Sequence, residues 1–393
     1  MSSIAKRITL VSAFPPGRQS LNEYGLHLAK GFAAHDEVAE VLVLADQLDG
    51  PGQELDMGPK IKVQRVWAFN KPFSQWRLFR AARAAKTDAV IFNLQTASFG
   101  DKEIPAATGL MVPAVLRLFG SHVGVIAHNL IAGVDLEQTV LKGQWLRQML
   151  IRTAGEIVTR ALCAASYITV TLPAFLATLR TIAPRAKAHL VPHGTFEGSV
   201  SQPAPASTRG LYLNTMGKFG TYKRLETLLA AFDLVRQDPR FADLKLEIGG
   251  SDHPSTPGYM AALKAKWAHD PGITFLGYIA EDEVPAFFGR AALSVFDYST
   301  TTGSSGVMHQ ATSNGAVPIF PLIDDFADLA SSEGIKGYHY APDDAQALAT
   351  ALMAAFEDRD SLDAKAASNL SAADHMPFAD VIAFHMAQIP DPQ

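Results

Sequence analysis

At 393 residues the chain exceeds what one ordinary core of about 150–200 residues organises, so two domains are the natural division. Hydrophobic residues at 48% and charged residues at 19% describe a globular chain and exclude a disordered one. The formal net charge of −5 gives no footing for nucleic acid, and the single cysteine, Cys163, excludes an intrachain disulfide or a cysteine-built metal site.

Charge is uneven along the chain. Residues 1–200 hold 21 lysines and arginines against 15 acids, whereas residues 201–393 hold 13 against 24. A basic half and an acidic half point to two domains facing different partners. The longest apolar region, 109–130, is broken by Pro113, Arg117 and His122 and does not span a bilayer. Lys6-Arg7 ahead of an apolar run faintly resembles a signal peptide. The run is short and ends in Phe14-Pro15-Pro16, so a buried first strand and a cytoplasmic location are expected.

In chain order, Ile8–Ala13 is a β-branched first strand. A Pro-Pro-Gly turn containing Gly17 follows, then an amphipathic helix from about Ser20 to Ala34 with Leu21, Tyr24, Leu28 and Phe32 on one face. Strands are expected at 38–44, 61–66 and 88–92, and at 123–127, where the chain delivers His128-Asn129 to a strand end. Runs at 167–171 and 188–192 complete an alternating strand–helix series, as in a parallel, doubly wound sheet whose ligands bind at the carboxyl ends of its strands.

A Ser/Pro/Ala-rich stretch at 199–208 reads as a linker between a first domain, 1–198, and a second, 209–372; a last helix near 377–389, within a 373–393 tail, is expected to return to the first domain. The second series opens with a strand at 211–215 and a loop at 216–224, then a helix at 225–237. Strands at 244–248 and 273–276 follow, the first ending in Gly249-Gly250 and the second in Gly277-Tyr278. A short helix carries Glu283, an alanine-rich helix spans 345–356, and a polar connection precedes the last helix.

The segment from Tyr298 to Ile319 is the most informative. An apolar strand precedes it, three threonines, a glycine and two serines open it, and Val307, Gln310 and Ala311 then fall at helical spacing up to Gly315. Strand, Ser/Gly turn and helix place backbone N–H groups and a helix N-terminus at the carboxyl edge of a parallel sheet, a place suited to phosphate. An ordinary βα unit with a serine cap fits the same pattern.

Together these segments resemble the family 4 glycosyltransferases, which have the GT-B fold: α/β, two Rossmann-like domains facing each other across a cleft, using a nucleotide-sugar donor. Gly217-Lys218-(x)4-Lys223 ahead of Leu228-Leu229-Ala230-Ala231-Phe232 resembles the family's donor loop and helix. Leu246–Gly250 is similar to its strand ending in Gly-x-Gly, and Phe275-Leu276-Gly277-Tyr278 to its base-binding turn. Val191-Pro192-His193-Gly194 resembles the signature before its linker, and His128 falls where the family often has a histidine. The chain departs at the family's two glutamates, eight positions apart, where it has Thr302 and Gln310. Glutamine still donates and accepts hydrogen bonds, so ribose binding stays within its reach.

The resemblance implies retaining transfer of a hexose from a UDP- or GDP-sugar to a glycan, lipid-linked or small-molecule acceptor, with no cofactor beyond the donor and no metal. Charge growing on the leaving diphosphate calls for preorganised cations and N–H donors. Lys218 and Lys223 would supply the cations, and Ser304, Ser305, Gly306 and Val307 the amides, with Thr302 or its serine neighbours near the hexose. Gly17 either lets the first domain approach the phosphates or simply makes a turn. His128 contacts the reacting centre or is an ordinary hydrogen-bonded strand-end histidine. Glu283 binds ribose or lies on the surface; His309 packs or lines the site. Alternatives are another GT-B activity, such as a nucleotide-sugar epimerase or a phosphorylase, and a degenerate protein that binds a nucleotide sugar or a partner without transfer.

Two basic, aromatic segments, 71–86 and 142–160, allow peripheral contact with an anionic membrane at the inner face. The reading preferred from sequence is two helices that pack their aromatics inward and snorkel their arginines.

Overall fold

The computed structural model describes residues 5–17, 19–48, 50, 54–130, 145–196, 203–300 and 303–392. The chain forms two compact units, Met1–Pro192 with Phe378–Gln393, and His193–Pro377. The expected linker at 199–208 lies partly outside the described residues.

In the first unit the elements run β1 (Lys6–Val11), α1 (Asn22–Ala34), β2 (Val38–Asp46), β3 (Ile61–Trp67), α2 (Ser74–Ala85), β4 (Ala89–Leu94), α3 (Glu103–Leu110), α4 (Val112–Leu118), β5 (Val123–Ala127), α5 (Trp145–Leu162), β6 (Tyr167–Val170), α6 (Pro173–Ile182) and β7 (Ala188–Leu190). The strands form one parallel sheet in the order β3-β2-β1-β4-β5-β6-β7. Central β4 and β5 are buried at every position, as expected of strands covered on both faces. On α1, Tyr24, Leu28 and Phe32 face inward as the helical spacing predicts, while Leu21 falls just before the helix with φ 68°.

The second unit continues with β8 (Tyr212–Phe219), α7 (Glu226–Arg236), β9 (Lys245–Asp252), α8 (Tyr259–Lys266), β10 (Ile273–Gly277), α9 (Val284–Gly289), β11 (Leu293–Val295), α10 (Gly306–Ser313), β12 (Val317–Pro321), α11 (Asp324–Glu333), β13 (Tyr338–Tyr340), α12 (Ala345–Glu357) and α13 (Arg359–Asp374). Its parallel sheet has the order β10-β9-β8-β11-β12-β13. Leu228, Leu229, Phe232 and Val235 of α7 pack with Leu246, Ile248, Leu293 and Val317 of the strands into its core.

Two sequence expectations fail. The polar connection before the last helix is α13, a 16-residue helix. Its apolar stripe is narrow (Leu362, Ala366, Ala373), and Asn369 joins it by bonding the main chain of Lys336 in both directions. The aromatics of 71–86 do not pack inward. Phe73 is 89% and Trp76 63% exposed, because Ser74, Gln75, Leu78 and Ala82 form the buried face of α2.

The last helix, α14 (Phe378–Gln388), lies in the first unit against α1. Tyr24 meets Phe378 edge-on at 5.3 Å, and a Cβ at Gly31 would lie 2.5 Å from Ile382 Cγ1. The Tyr167 hydroxyl bonds His385 Nδ1 at 2.9 Å. Sequence periodicity finds such a helix but gives no sign of these long-range partners.

Candidate functional site

In the second unit, β8 runs further than the sequence suggests. Its ladder with β9 continues through Gly217↔Gly250, Lys218↔Ser251 and Phe219↔Asp252, so Gly217 and Lys218 stand on the strand end and not in a loop. The close approach explains Gly250: with φ 130°, a Cβ there would sit 1.9 Å from the Gly217 carbonyl oxygen. A turn closed by Gly220 N–H to Lys223 O at 2.9 Å follows.

That turn leads straight to the Ser/Gly segment. Lys223 and Tyr298 form an antiparallel bridge, flanked by Arg224 N–H to Asp297 O and Ser299 N–H to Tyr222 O, both 2.8 Å. The Lys223 ammonium lies 4.8 Å from the centre of the Tyr298 ring. A Cβ at Gly217 would come within 3.3 Å of Lys223 Cδ, so the lysine stem folds back over the strand end. Because β8 and β11 are neighbours in the sheet, the two segments share one carboxyl edge.

Sequence reasoning missed what fixes this arrangement. Asp297, 2% exposed, accepts from the N–H groups of Thr227 and Leu228 and so holds the start of α7 against the end of β11. Burial raises its carboxyl above the usual range, against the hydrogen bonds and the nearby Arg224. Asp252, which the sequence left without a role, accepts from Gly258 and Met260 N–H and holds the start of α8.

Past the turn, Ser305 caps α10 by accepting from Met308 N–H at 3.3 Å. The helix thus begins at Gly306, with its first amides left over from intrahelical bonding. Thr302 lies outside the described residues. Gln310 is 9% exposed, in a helix whose residues Met308 to Ser313 are all buried.

Behind it, His309 donates from Nδ1 to Ser305 O at 2.9 Å and pairs through Nε2 with Glu333 Oε2 at 2.5 Å. The Ser305 carbonyl can only accept, so Nδ1 carries a proton. Burial alone would lower its pKa; the Glu333 carboxylate and the Ser305 carbonyl outweigh that and raise it. The ring stacks on His193 at 4.6 Å, and His193 Nε2 would lie 3.0 Å from a Cβ at Gly306. His309 therefore packs behind the helix start, and Glu333 was unmarked by any sequence motif.

At the other end of the same sheet edge, Gly277 has φ 77° and Tyr278 is half exposed. Glu283 is exposed and accepts from Ala280 N–H at 3.2 Å, closing the turn before α9.

The first unit's carboxyl edge is built otherwise. His128, 6% exposed, bonds Asn93 Oδ1 through Nε2 at 2.7 Å, and Asn93 donates on to Ser12 Oγ at 2.9 Å. Tyr24 meets the ring edge-on at 4.5 Å. Burial pushes the His128 pKa down to about 3, so the ring is neutral. Gly17 lies in a tight turn: a Cβ would be 2.9 Å from both Asp46 Oδ2 and Phe14 O. Arg65 fastens this turn, donating to Phe14 O, Pro15 O and Asp46 O. Among the described residues no three His, Cys, Asp or Glu side chains gather as a metal site.

Residues 210–358 match the family model described as glycosyl transferases group 1. Among solved structures, sucrose-phosphate synthase from Thermosynechococcus elongatus superposes with a TM-score of 0.74 at 19% identity, covering 98% of both chains. The fold is that of GT-B glycosyltransferases. WaaG, a glycosyltransferase involved in lipopolysaccharide biosynthesis, gives a TM-score of 0.70 at 14% identity over 98% of this chain and 100% of its own. Anabaena HepE in complex with UDP-glucose gives 0.68 at 14% identity over 98% of both. No curated protein matches the chain by sequence. The matched family segment runs from β8 through α12, so it contains the second unit's sheet edge described above apart from His193.

Proposed function

We propose that the protein is a retaining glycosyltransferase of family 4 that moves a hexose from a UDP- or GDP-sugar to a glycan, lipid-linked or small-molecule acceptor. One observation carries the reading: the Lys223–Tyr298 bridge brings the lysine-bearing end of β8 beside the Ser/Gly turn that opens α10, within the segment matching group 1 glycosyl transferases. Cations from one side and helix amides from the other are what a diphosphate leaving group requires. The bound UDP-glucose of HepE supports a uridine donor first.

In this reading Lys218 and Lys223 neutralise the diphosphate with Gly306 and Val307 N–H groups opposite, in place of a metal. Gln310 holds the ribose, Tyr278 stands by the base, and Gly217 and Gly250 let the backbone come close. The hexose falls to Thr302 or its serine neighbours Ser304 and Ser305; Thr302 lies outside the described residues. An acceptor hydroxyl forms the new bond to the anomeric carbon on the face the diphosphate leaves, and its proton passes to the departing phosphate oxygen. His128 acts by shaping the first unit's edge, since Asn93 occupies its Nε2. The enzyme works in the cytoplasm, and a lipid-linked acceptor would be met at a membrane surface.

Calorimetry with UDP, GDP and their glucose and mannose derivatives tests the donor. Chromatographic release of nucleoside diphosphate, with proton NMR of the product's anomeric coupling, tests transfer and retention. Gln310 and Thr302, standing where the family has glutamates, favour a second reading, a nucleotide-sugar binder without turnover. Tight donor binding with no diphosphate released, across a panel of acceptors, would decide for it.

A further inference from the structure

The outward face of α2 and the end of α4 carry an apolar patch with no partner among the described residues. Phe73 is 89%, Trp76 63%, Leu118 85% and Phe119 58% exposed. These side chains are joined into one surface. Trp76 stacks on Phe79 at 5.3 Å, Phe79 meets Phe119 edge-on at 5.4 Å, and Leu118 precedes Phe119. Large aromatic and aliphatic groups held together in water mark an interaction surface.

The charge around the patch says what covers it. Lys71, Arg77, Arg80, Arg83 and Lys86 are exposed within sixteen residues of chain, and the segment 71–86 contains no acid. Among the described residues none of the five forms a salt bridge with an acid; Arg83 instead donates to Phe119 O and lies 5.5 Å over its ring. On the helix, Phe73, Trp76, Arg77 and Arg80 fall at i, i+3, i+4 and i+7, opposite the buried Ser74, Gln75, Leu78 and Ala82. Apolar rings with arginines interleaved on one face match the boundary between acyl chains and anionic headgroups, where rings enter and guanidinium groups meet phosphate. A two-fold contact with a second copy would instead set five cations against five cations.

We infer that this face docks the protein on an anionic lipid bilayer, with Phe73, Trp76, Leu118 and Phe119 entering the headgroup boundary and the α2 arginines bound to lipid phosphates. Docking through this face is independent of the donor chemistry in the second unit.

Flotation of the full chain with vesicles of phosphatidylcholine alone, or with a third phosphatidylglycerol, tests it. The chain should float with the anionic vesicles and not with the neutral ones, and release as salt is raised. Arg77→Gln, Arg80→Gln and Arg83→Gln together should lower the partition coefficient about a hundredfold, at about fivefold per cation. Phe73→Ser with Trp76→Ser should lower it at least tenfold, with brominated lipid no longer quenching tryptophan fluorescence. All five residues are exposed, so both variants should stay folded with the parent's nucleotide affinity; the double variant Arg77→Gln/Arg80→Gln, which leaves the Arg83–Phe119 contact in place, should by itself lower partition about twenty-five-fold. Equal binding to neutral vesicles, no binding to either, or full binding by the triple variant would overturn the proposal. So would a concentration-dependent dimer in ultracentrifugation that the Phe73/Trp76 variant abolishes.

Discussion

Both sheets set a glycine-bearing turn and polar side chains at the carboxyl ends of their strands, yet the two edges differ in charge and in how their polar groups are paired. In the first unit the edge is closed on itself: His128, Asn93 and Ser12 bond in a buried neutral chain, and Arg65 locks the turn around Gly17. In the second, Lys223 bridges to the strand end that leads into α10, backed by a buried histidine held between Ser305 and Glu333. A polar residue at a strand end is thus not by itself a ligand group. Its burial and the donor or acceptor character of its neighbours decide whether it serves the fold or the ligand.

The sharpest way to break the contrast is at the glycines. Gly250→Ala forces a Cβ onto a main-chain oxygen at a φ that side chains avoid, and should cost about 4 kcal/mol or more in urea unfolding. Gly17→Ala meets a carboxylate and a carbonyl at 2.9 Å and should cost about 1–3 kcal/mol. If Gly250→Ala were the milder of the two, the close β8–β9 approach would be misread.

Donor affinity comes next. Lys223→Ala should weaken nucleoside diphosphate binding by about 2–5 kcal/mol in calorimetry, since the phosphate then loses a desolvated partner. His128→Asn should leave that affinity unchanged. Unaltered binding in both Lys223→Ala and Lys218→Ala would move the diphosphate site elsewhere.

The two histidines should titrate in opposite senses. His128 has a folded pKa near 3, below its unfolded value of about 6.5. The stability linked to it is complete above pH 6.5 and lost as pH falls toward 3, about 2 kcal/mol by pH 5. The folded pKa of His309 is raised, so its contribution is complete below about 6.5 and lost as pH rises through the raised value. Proton NMR of the ring C2 protons should show His128 flat from pH 8 to 5 and His309 titrating above the usual range. Glu333→Gln should abolish that elevation; an unchanged His309 titration in this variant would remove Glu333 as its cause.

The smallest effect concerns Gln310. Gln310→Ala should weaken nucleoside diphosphate and intact nucleotide sugar alike by about 0.5–1.5 kcal/mol, the scale of neutral hydrogen bonds. Ser304→Ala should weaken the nucleotide sugar alone. No effect of Gln310→Ala on either ligand would detach the ribose from α10.

The strand–helix alternation, the Gly217–Lys223 spacing and the Ser/Gly opening of α10 were legible in the amino-acid order because each depends on neighbours a few residues away. The sequence therefore determined the fold class and the segment around which the donor reading is built. It did not show that Lys223 bridges Tyr298, that Asp297 ties α7 to β11, or that Glu333 raises the pKa of His309, because those pairings join residues 24 to 75 positions apart that only the tertiary fold brings together. Nor did it tell which face of α2 is buried. Phe73 and Trp76 suit a core as well as a surface by hydrophobicity, and only the seating of Leu78 and Ala82 against the sheet side left the aromatics in water. Local spacing selects the elements, whereas burial and charge state are set by what packs against them.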